Sequence, residues 1–219
     1  MERVKEPELM NDEEQAIAYA NANFDEPHNH FLKLLNLAIG KNFPPSGNVI
    51  DLGAGAADIA IKFALTYPSF KIDAVDGSKA MLIQAEKAID KFDLNHRINL
   101  VHSSIQNVSL IEKEYEIILS NSLLHHLHDP TVLWQLVKRA KGDPIIFIMD
   151  LMRPKNVHVV NELVHKYAKE EPEILQRDFR NSLKAAFTPE EVILQLEDAK
   201  LESLKVSIAS DRHIIISNY

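Results

Sequence analysis

The chain has 219 residues, with 24 Lys and Arg against 32 Asp and Glu and a formal charge of -8; this length allows one sizeable α/β domain burying about 70% of its unfolded surface. The negative balance argues against nucleic acid, whose binding draws on counterion release by Lys and Arg, and favours a small-molecule partner. The absence of cysteine excludes a disulfide scaffold, a thiolate zinc site and a cysteine nucleophile, and with no apolar run near the roughly 18 residues that cross a bilayer and no signal core in the charged opening Met1-Glu2-Arg3-Val4-Lys5-Glu6, a cytoplasmic protein with no membrane partner is expected.

Residues 11–40 read as helical, with Phe31, Leu34, Leu35, Ala38 and Ile39 on one stripe that Gly40 ends. A Pro-, Ser- and Gly-containing break at 42–48 precedes alternating strands and helices: 48–52, 57–66, 71–75, 78–92, 98–102, a short helix near 107–112, then 116–120, 130–141 and 145–150. After Arg153-Pro154 the pattern is helical to about 186, Thr188-Pro189-Glu190-Glu191 opens another helix with a capping box, and 204–209 with 213–217 reads as a hairpin. The alternation predicts a doubly wound, Rossmann-like, mostly parallel sheet with ligands at the carboxyl ends of the strands. No internal repeat or low-complexity tract interrupts it, so a single domain is expected over 1–219: a helical cap at 1–45, an alternating core at 46–150, a helical insertion at 151–187, and a final helix and hairpin at 188–219.

The chemistry concentrates in Val49-Ile50-Asp51-Leu52-Gly53-Ala54-Gly55-Ala56-Ala57-Asp58. Glycines at 53 and 55 let the backbone turn sharply and approach a ligand closely. A dinucleotide pyrophosphate would want bare N–H groups and a third glycine, whereas this turn is flanked by Asp51 and Asp58. Those carboxylates repel a polyanion and suit a ligand carrying ammonium or sulfonium charge. A second apolar run ends at Asp76, 23 residues beyond Gly53, where a carboxylate can accept two ribose hydroxyls; Gly77 follows, and Ser78 can cap the next helix.

Asp51 to Gly55, the strand ending at Asp76, and the string Asn121-Ser122-Leu123-Leu124-His125-His126-Leu127 after the fourth strand together resemble the class I S-adenosylmethionine-dependent methyltransferases, in particular their small-molecule branch. The likeness covers about 46–150 and departs from the family at Ala57, where a third alternate glycine is usual, and at Ser104, where an aspartate is common. The resemblance implies a seven-stranded sheet with an antiparallel last strand, S-adenosyl-L-methionine as cofactor and S-adenosyl-L-homocysteine as product. It further implies a cofactor site of Asp51, Gly53, Ala54, Gly55, Asp76, Gly77, Met81, Ser104, Ile105 and Asn121, with Asp76 on the ribose, Met81 against the adenine, and Ser104 and the Ile105 backbone at the adenine amino group.

Methyl transfer from an activated sulfonium asks mainly for positioning, with a base only where the acceptor must lose a proton. His125 and His126 are the candidate bases or substrate contacts, the alternative being that one of them shapes its loop. No metal is expected, because neighbouring loop histidines rarely converge on an ion without a carboxylate from elsewhere. His28 and His30 are expected in capping and surface roles. Tyr19 and Phe24 serve either as a lid or as packing, and Trp134 as core. Arg153, Arg177 and Arg180 stand where the family places substrate contacts, and Arg177-Asp178-Phe179-Arg180 makes a small anionic metabolite the preferred acceptor. Two other readings stay open: an NAD-dependent oxidoreductase on the same kind of sheet, and a non-catalytic module binding cofactor or protein. The residues fix neither the acceptor nor the oligomeric state.

Overall fold

The computed structural model describes residues 1–110 and 113–219. Strands β1 (Gly47–Leu52), β2 (Phe70–Asp76), β3 (Ile98–His102), β4 (Ile117–Asn121) and β5 (Ile145–Leu151) pair in parallel. The hairpin of β6 (Lys205–Ile208) and β7 (His213–Ser217) completes a seven-stranded sheet of order β3-β2-β1-β4-β5-β7-β6, in which β7 runs antiparallel to both neighbours. The order of succession reverses between β1 and β4, which opens a crevice at the carboxyl ends of those strands.

Alternation along the strands sends side chains to two cores. Val49, Ile72, Leu119 and Phe147 pack beneath α2 (Asp25–Ile39), α3 (Asp58–Thr66) and α4 (Lys79–Lys91). Ile50, Val75, Ile118 and Ile148 meet α5 (Thr131–Lys138) and α8 (Pro189–Ala199) on the opposite face. Trp134 lies in this second core, as its helical spacing implied, and its indole N–H donates to Gln195 Oε1 at 2.9 Å. Above the strand ends, α1 (Glu13–Asn21) lays Ala16 on Ala56, Ala80 and Met81, while α6 (Val157–Ala168) and α7 (Glu173–Ala185) share a smaller core around Leu163 and Leu183.

The Thr188 capping box and the Gly40 helix end form as the sequence implied. Three stretches differ. The helical run at 11–40 breaks between α1 and α2, where the Asn23 side chain accepts the Asp25 N–H at 3.0 Å. The helical run after 153 breaks at Pro172, which cannot continue a helix and instead precedes α7. Of the short helix expected near 107–112, only a 3₁₀ turn at Ile105–Asn107 forms, with no helix at 108–110; residues 111 and 112 lie outside the described residues.

Candidate active site

The β1–α3 turn is built by backbone geometry. Gly53 and Gly55 take φ values of +72° and +56°, and a β-carbon at Gly53 would stand 2.8 Å from Leu123 Cδ1, so any larger residue there would be strained and would displace Leu123. Ala57 occupies the third alternate position and still adopts left-handed φ, +65°, a conformation that costs an L-residue roughly 1–2 kcal/mol. The turn is latched to the next strand: the Gly55 N–H donates to Asp76 Oδ2 at 2.8 Å, and the Ser78 N–H donates to Asp76 Oδ1 at 2.7 Å. Ser78 Oγ accepts from Met81 N at 3.2 Å, which starts α4 and orients Met81.

A cavity of about 400 Å³ opens above these strand ends. Every expected cofactor residue lies on its wall: Asp51, Gly53, Ala54, Gly55, Asp76, Gly77, Met81, Ser104, Ile105 and Asn121. Its volume suits a small ligand. Asp51 Oδ2 and Asn121 Oδ1 are buried acceptors with no hydrogen-bond partner, an arrangement that calls for a ligand bearing donors or positive charge. Burial, reinforced by the charges of Asp76 and Asp58, pushes the Asp51 carboxyl up to about 7. Burial also raises Asp76, opposed by the two N–H groups it accepts, and raises Asp58 against the pull of Lys62. This cluster of acids would oppose a pyrophosphate and would be relieved by a cation.

At the far side of the wall stand His125 and His126. The β4–α5 loop holds them there, and the last strand residue but one of β5, Asp150, fixes the first: His125 Nδ1–H donates to Asp150 Oδ1 at 2.6 Å. Asp150 is itself clamped by the N–H groups of Leu124 at 2.6 Å and Leu151 at 2.7 Å. Burial alone would depress His125, but the Asp150 charge and hydrogen bond, with Glu6, leave it above its ordinary value. Burial and the neighbouring His125 press His126 down to about 3.

The opening segment closes the cavity as a strap. Leu9 and Met10 line it, and Ser78 Oγ donates to the Met10 carbonyl at 2.6 Å. Arg3 bolts the strap down: Nε donates to Ala185 O at 2.5 Å, Nη2 donates to His125 O at 2.9 Å and Leu127 O at 3.0 Å, and the guanidinium lies 3.8 Å above the Phe187 ring. Tyr19 and Phe24 also line the wall, with ring centroids 4.7 Å apart.

Several expected placements need correction. Arg153, Arg177 and Arg180 do not line the cavity. Arg153 is held by Glu191 at 2.5 Å and by Ala186 O, Arg177 pairs with Asp178 at 3.1 Å, and Arg180 reaches Asn161 at 3.4 Å. The arginine that does reach it, Arg212, stacks 3.4 Å from the Tyr167 ring and pairs with Asp211. The three arginines expected to hold an anionic acceptor are thus engaged elsewhere. His28 is not a surface residue: it is buried in the first turn of α2 beside Phe24, lines the cavity, and is pressed by burial and Lys62 down to about 4. Sequence reasoning passed over Asp150, although an acid closing the apolar run Ile145–Met149 repeats the pattern that singled out Asp51 and Asp76. Nothing local marked Glu6, which the strap carries to the histidine pair.

Residues 49–141 match the family described as "Methyltransferase domain". A tRNA1(Val) (adenine(37)-N6)-methyltransferase of Pedobacter heparinus is 33% identical over 88 residues, 40% of this chain and 36% of that protein. A ribosomal protein uL3 glutamine methyltransferase of Neisseria gonorrhoeae is 38% identical over 74 residues, 34% of this chain and 24% of that one. The chain thus spans about a third or less of the length of these relatives. Among solved structures, the plantazolicin methyltransferase BpumL in complex with SAH superimposes with a TM-score of 0.68 at 17% identity, covering 94% of this chain and 90% of that one. A SAM-dependent methyltransferase from Aquifex aeolicus gives 0.63 at 18% identity, with 94% and 97% covered. Residues 49–141 are thus similar to a methyltransferase domain, and the chain shares the fold of these solved methyltransferases.

Proposed function

We propose that the protein is an S-adenosyl-L-methionine-dependent methyltransferase acting on a small acceptor that is neutral or amine-bearing rather than anionic. The observation that carries the reading is the pair of buried, unpartnered acceptors, Asp51 Oδ2 and Asn121 Oδ1, in an acid-lined cavity over a methyltransferase-type turn. Bound there, S-adenosyl-L-methionine would supply a methyl group already activated on sulfur. In this reading Asp76 holds the ribose hydroxyls with the acceptor capacity left on its two oxygens. Met81 supports the adenine, Ser104 and Ile105 close its edge, and Asp51 with Asn121 receives the amino-acid end. His125, oriented by Asp150, and His126 contact the acceptor, while the strap excludes water and bulky substrates. The cap at 1–45, with Tyr19, and the helices at 151–187 frame the acceptor space, and a cytoplasmic setting accords with this chemistry.

The two alternative readings from sequence differ in what they bind. Asp51, Asp58 and Asp76 around the turn disfavour NAD, and a non-catalytic module would bind without turnover. Calorimetry with S-adenosylmethionine, S-adenosylhomocysteine and NAD is the test. Micromolar affinity for both adenosyl ligands, roughly -8 kcal/mol, supports the proposal. Binding of NAD alone, or no adenosyl binding, overturns it, and radiolabelled methyl transfer to pooled small metabolites then separates enzyme from binding module.

A further inference from the structure

The loop histidines do meet a carboxylate from elsewhere. Glu6 Oε1 lies 3.5 Å from His125 Nε2 and 3.3 Å from His126 Nδ1, and the three potential ligand atoms all fall within 4.8 Å of one another. We propose that Glu6, His125 and His126 form a binding site for a divalent transition metal, of the zinc or cobalt type, at the acceptor end of the cavity.

Three observations support the site. The first is spacing: with bonds of about 2.1 Å to a tetrahedral ion, ligand atoms stand about 3.4 Å apart, which is the separation of Glu6 Oε1 from both ring nitrogens. Both contacts exceed the ~2.7–2.9 Å of a charge-assisted hydrogen bond. The second is the state of Glu6 Oε1, a buried carboxylate oxygen without a hydrogen-bond partner. Such an atom is costly unless paired with a donor or a cation. The third is the outer support. With its Nδ1–H donated to Asp150, His125 aims Nε2 at Glu6 Oε1, where a metal ion would take the place of the Nε2 proton. A carboxylate holding the remote nitrogen of a histidine ligand is the arrangement that fixes tautomer and ring orientation in metal sites. His126 Nδ1 has one competing contact, the Pro7 carbonyl at 3.4 Å, which is long for a hydrogen bond.

Two histidines and one glutamate leave a coordination position open, as in catalytic rather than structural sites. Both histidines line the cavity, so the open position is available to an oxygen or nitrogen of the acceptor. A metal there would replace bare imidazole as the group acting on the acceptor, by holding its heteroatom and favouring its deprotonated form. The assignment of that position to the acceptor rests on the methyl-transfer reading; the metal site does not.

The test uses the full chain, stripped with chelator and titrated with Co²⁺ by absorbance and with Zn²⁺ by calorimetry. One equivalent of Co²⁺ with the intense visible bands of a four-coordinate ion, displaced by Zn²⁺, is expected. Glu6→Gln and His126→Ala should each weaken binding by about 10-fold or more, while His158→Ala, an exposed histidine away from the cluster, should not. Thermal melts verify folding, and Glu6→Gln, the milder change, carries the test if His126→Ala does not fold. Absence of stoichiometric binding, or binding unchanged in folded Glu6→Gln, overturns the proposal. S-adenosylhomocysteine is titrated into the same metal-free protein: adenosyl binding without metal binding removes the metal site alone, and the converse removes the methyl-transfer reading alone.

Discussion

Asp51→Asn should make the protein more stable and a poorer binder at once. Burial beside Asp76 and Asp58 lifts the Asp51 carboxyl from 3.8 to about 7. A raised native value means that the folded state holds its proton more tightly than the unfolded chain, so the destabilisation grows as pH climbs from 3.8 through 7 and is constant above. Full expression of the shift corresponds to roughly 4 kcal/mol at pH 8 and roughly 2 kcal/mol at pH 5. Burying the replacement amide with imperfect pairing costs about 1–3 kcal/mol. A net gain of about 2 kcal/mol at pH 8 remains, or a rise of about 4–8 °C in Tm for a chain of this size, and at pH 5 the gain should vanish or reverse. Loss of the charged acceptor should weaken S-adenosylhomocysteine binding by about 10-fold or more. Scanning calorimetry at both pH values and ligand titration at pH 8 read the two effects. A Tm gain equal at pH 5 and pH 8, or a fall at pH 8 with unchanged affinity, would refute the account of Asp51 as a strained, ligand-directed carboxylate.

Gly53→Ala and Gly142→Ala share a native φ of +72°, yet only at Gly53 does a new β-carbon strike a neighbour, Leu123. Both should lose roughly 1–2 kcal/mol in denaturant titrations, with an additional loss and at least about a 10-fold fall in adenosyl affinity confined to Gly53→Ala. His28, pressed to about 4 by burial, stays neutral in the fold while the unfolded chain takes a proton below 6.5; its contribution is full above pH 6.5 and fades as pH falls to 4. His28→Asn should therefore flatten the acid limb of the Tm–pH curve by up to about 3 kcal/mol, and an unchanged limb would contradict the buried neutral state. Arg3→Ala should cost about 2 kcal/mol and raise hydrogen exchange at residues 1–10 far more than in the sheet; equal rises in both would show that the strap is not a separate unit.

The alternation of strands and helices was legible because each apolar run carried its own period and its own stop signal. Asp51, Gly53, Gly55 and Asp76 were legible because a tight turn and a strand-end acid are local features. What failed was long-range. An arginine's partner is chosen by tertiary packing, so nothing near Arg153 announced that Glu191 would hold it. Neither could the residues around Glu6 announce that it would arrive beside histidines about 120 positions later. Asp150 was within reach, since it closes the apolar run of β5 one residue before the strand end, much as Asp76 closes β2, but the apolar strand before it drew attention as core.

The strap also constrains the order of assembly. The carbonyls that Arg3 grips belong to residues 122, 124 and 182 positions further along, so the segment is synthesised well before anything exists for it to hold. Closing loops of that length comes late in folding, after the sheet has brought the loop ends near each other. A chain arrested before Ala185 would lack the Ala185 carbonyl and the Phe187 ring that complete the grip of Arg3, even with β1 to β5 complete. The pocket's closure is thus the final event of folding rather than part of its nucleus, and its first loss on warming should precede that of the sheet.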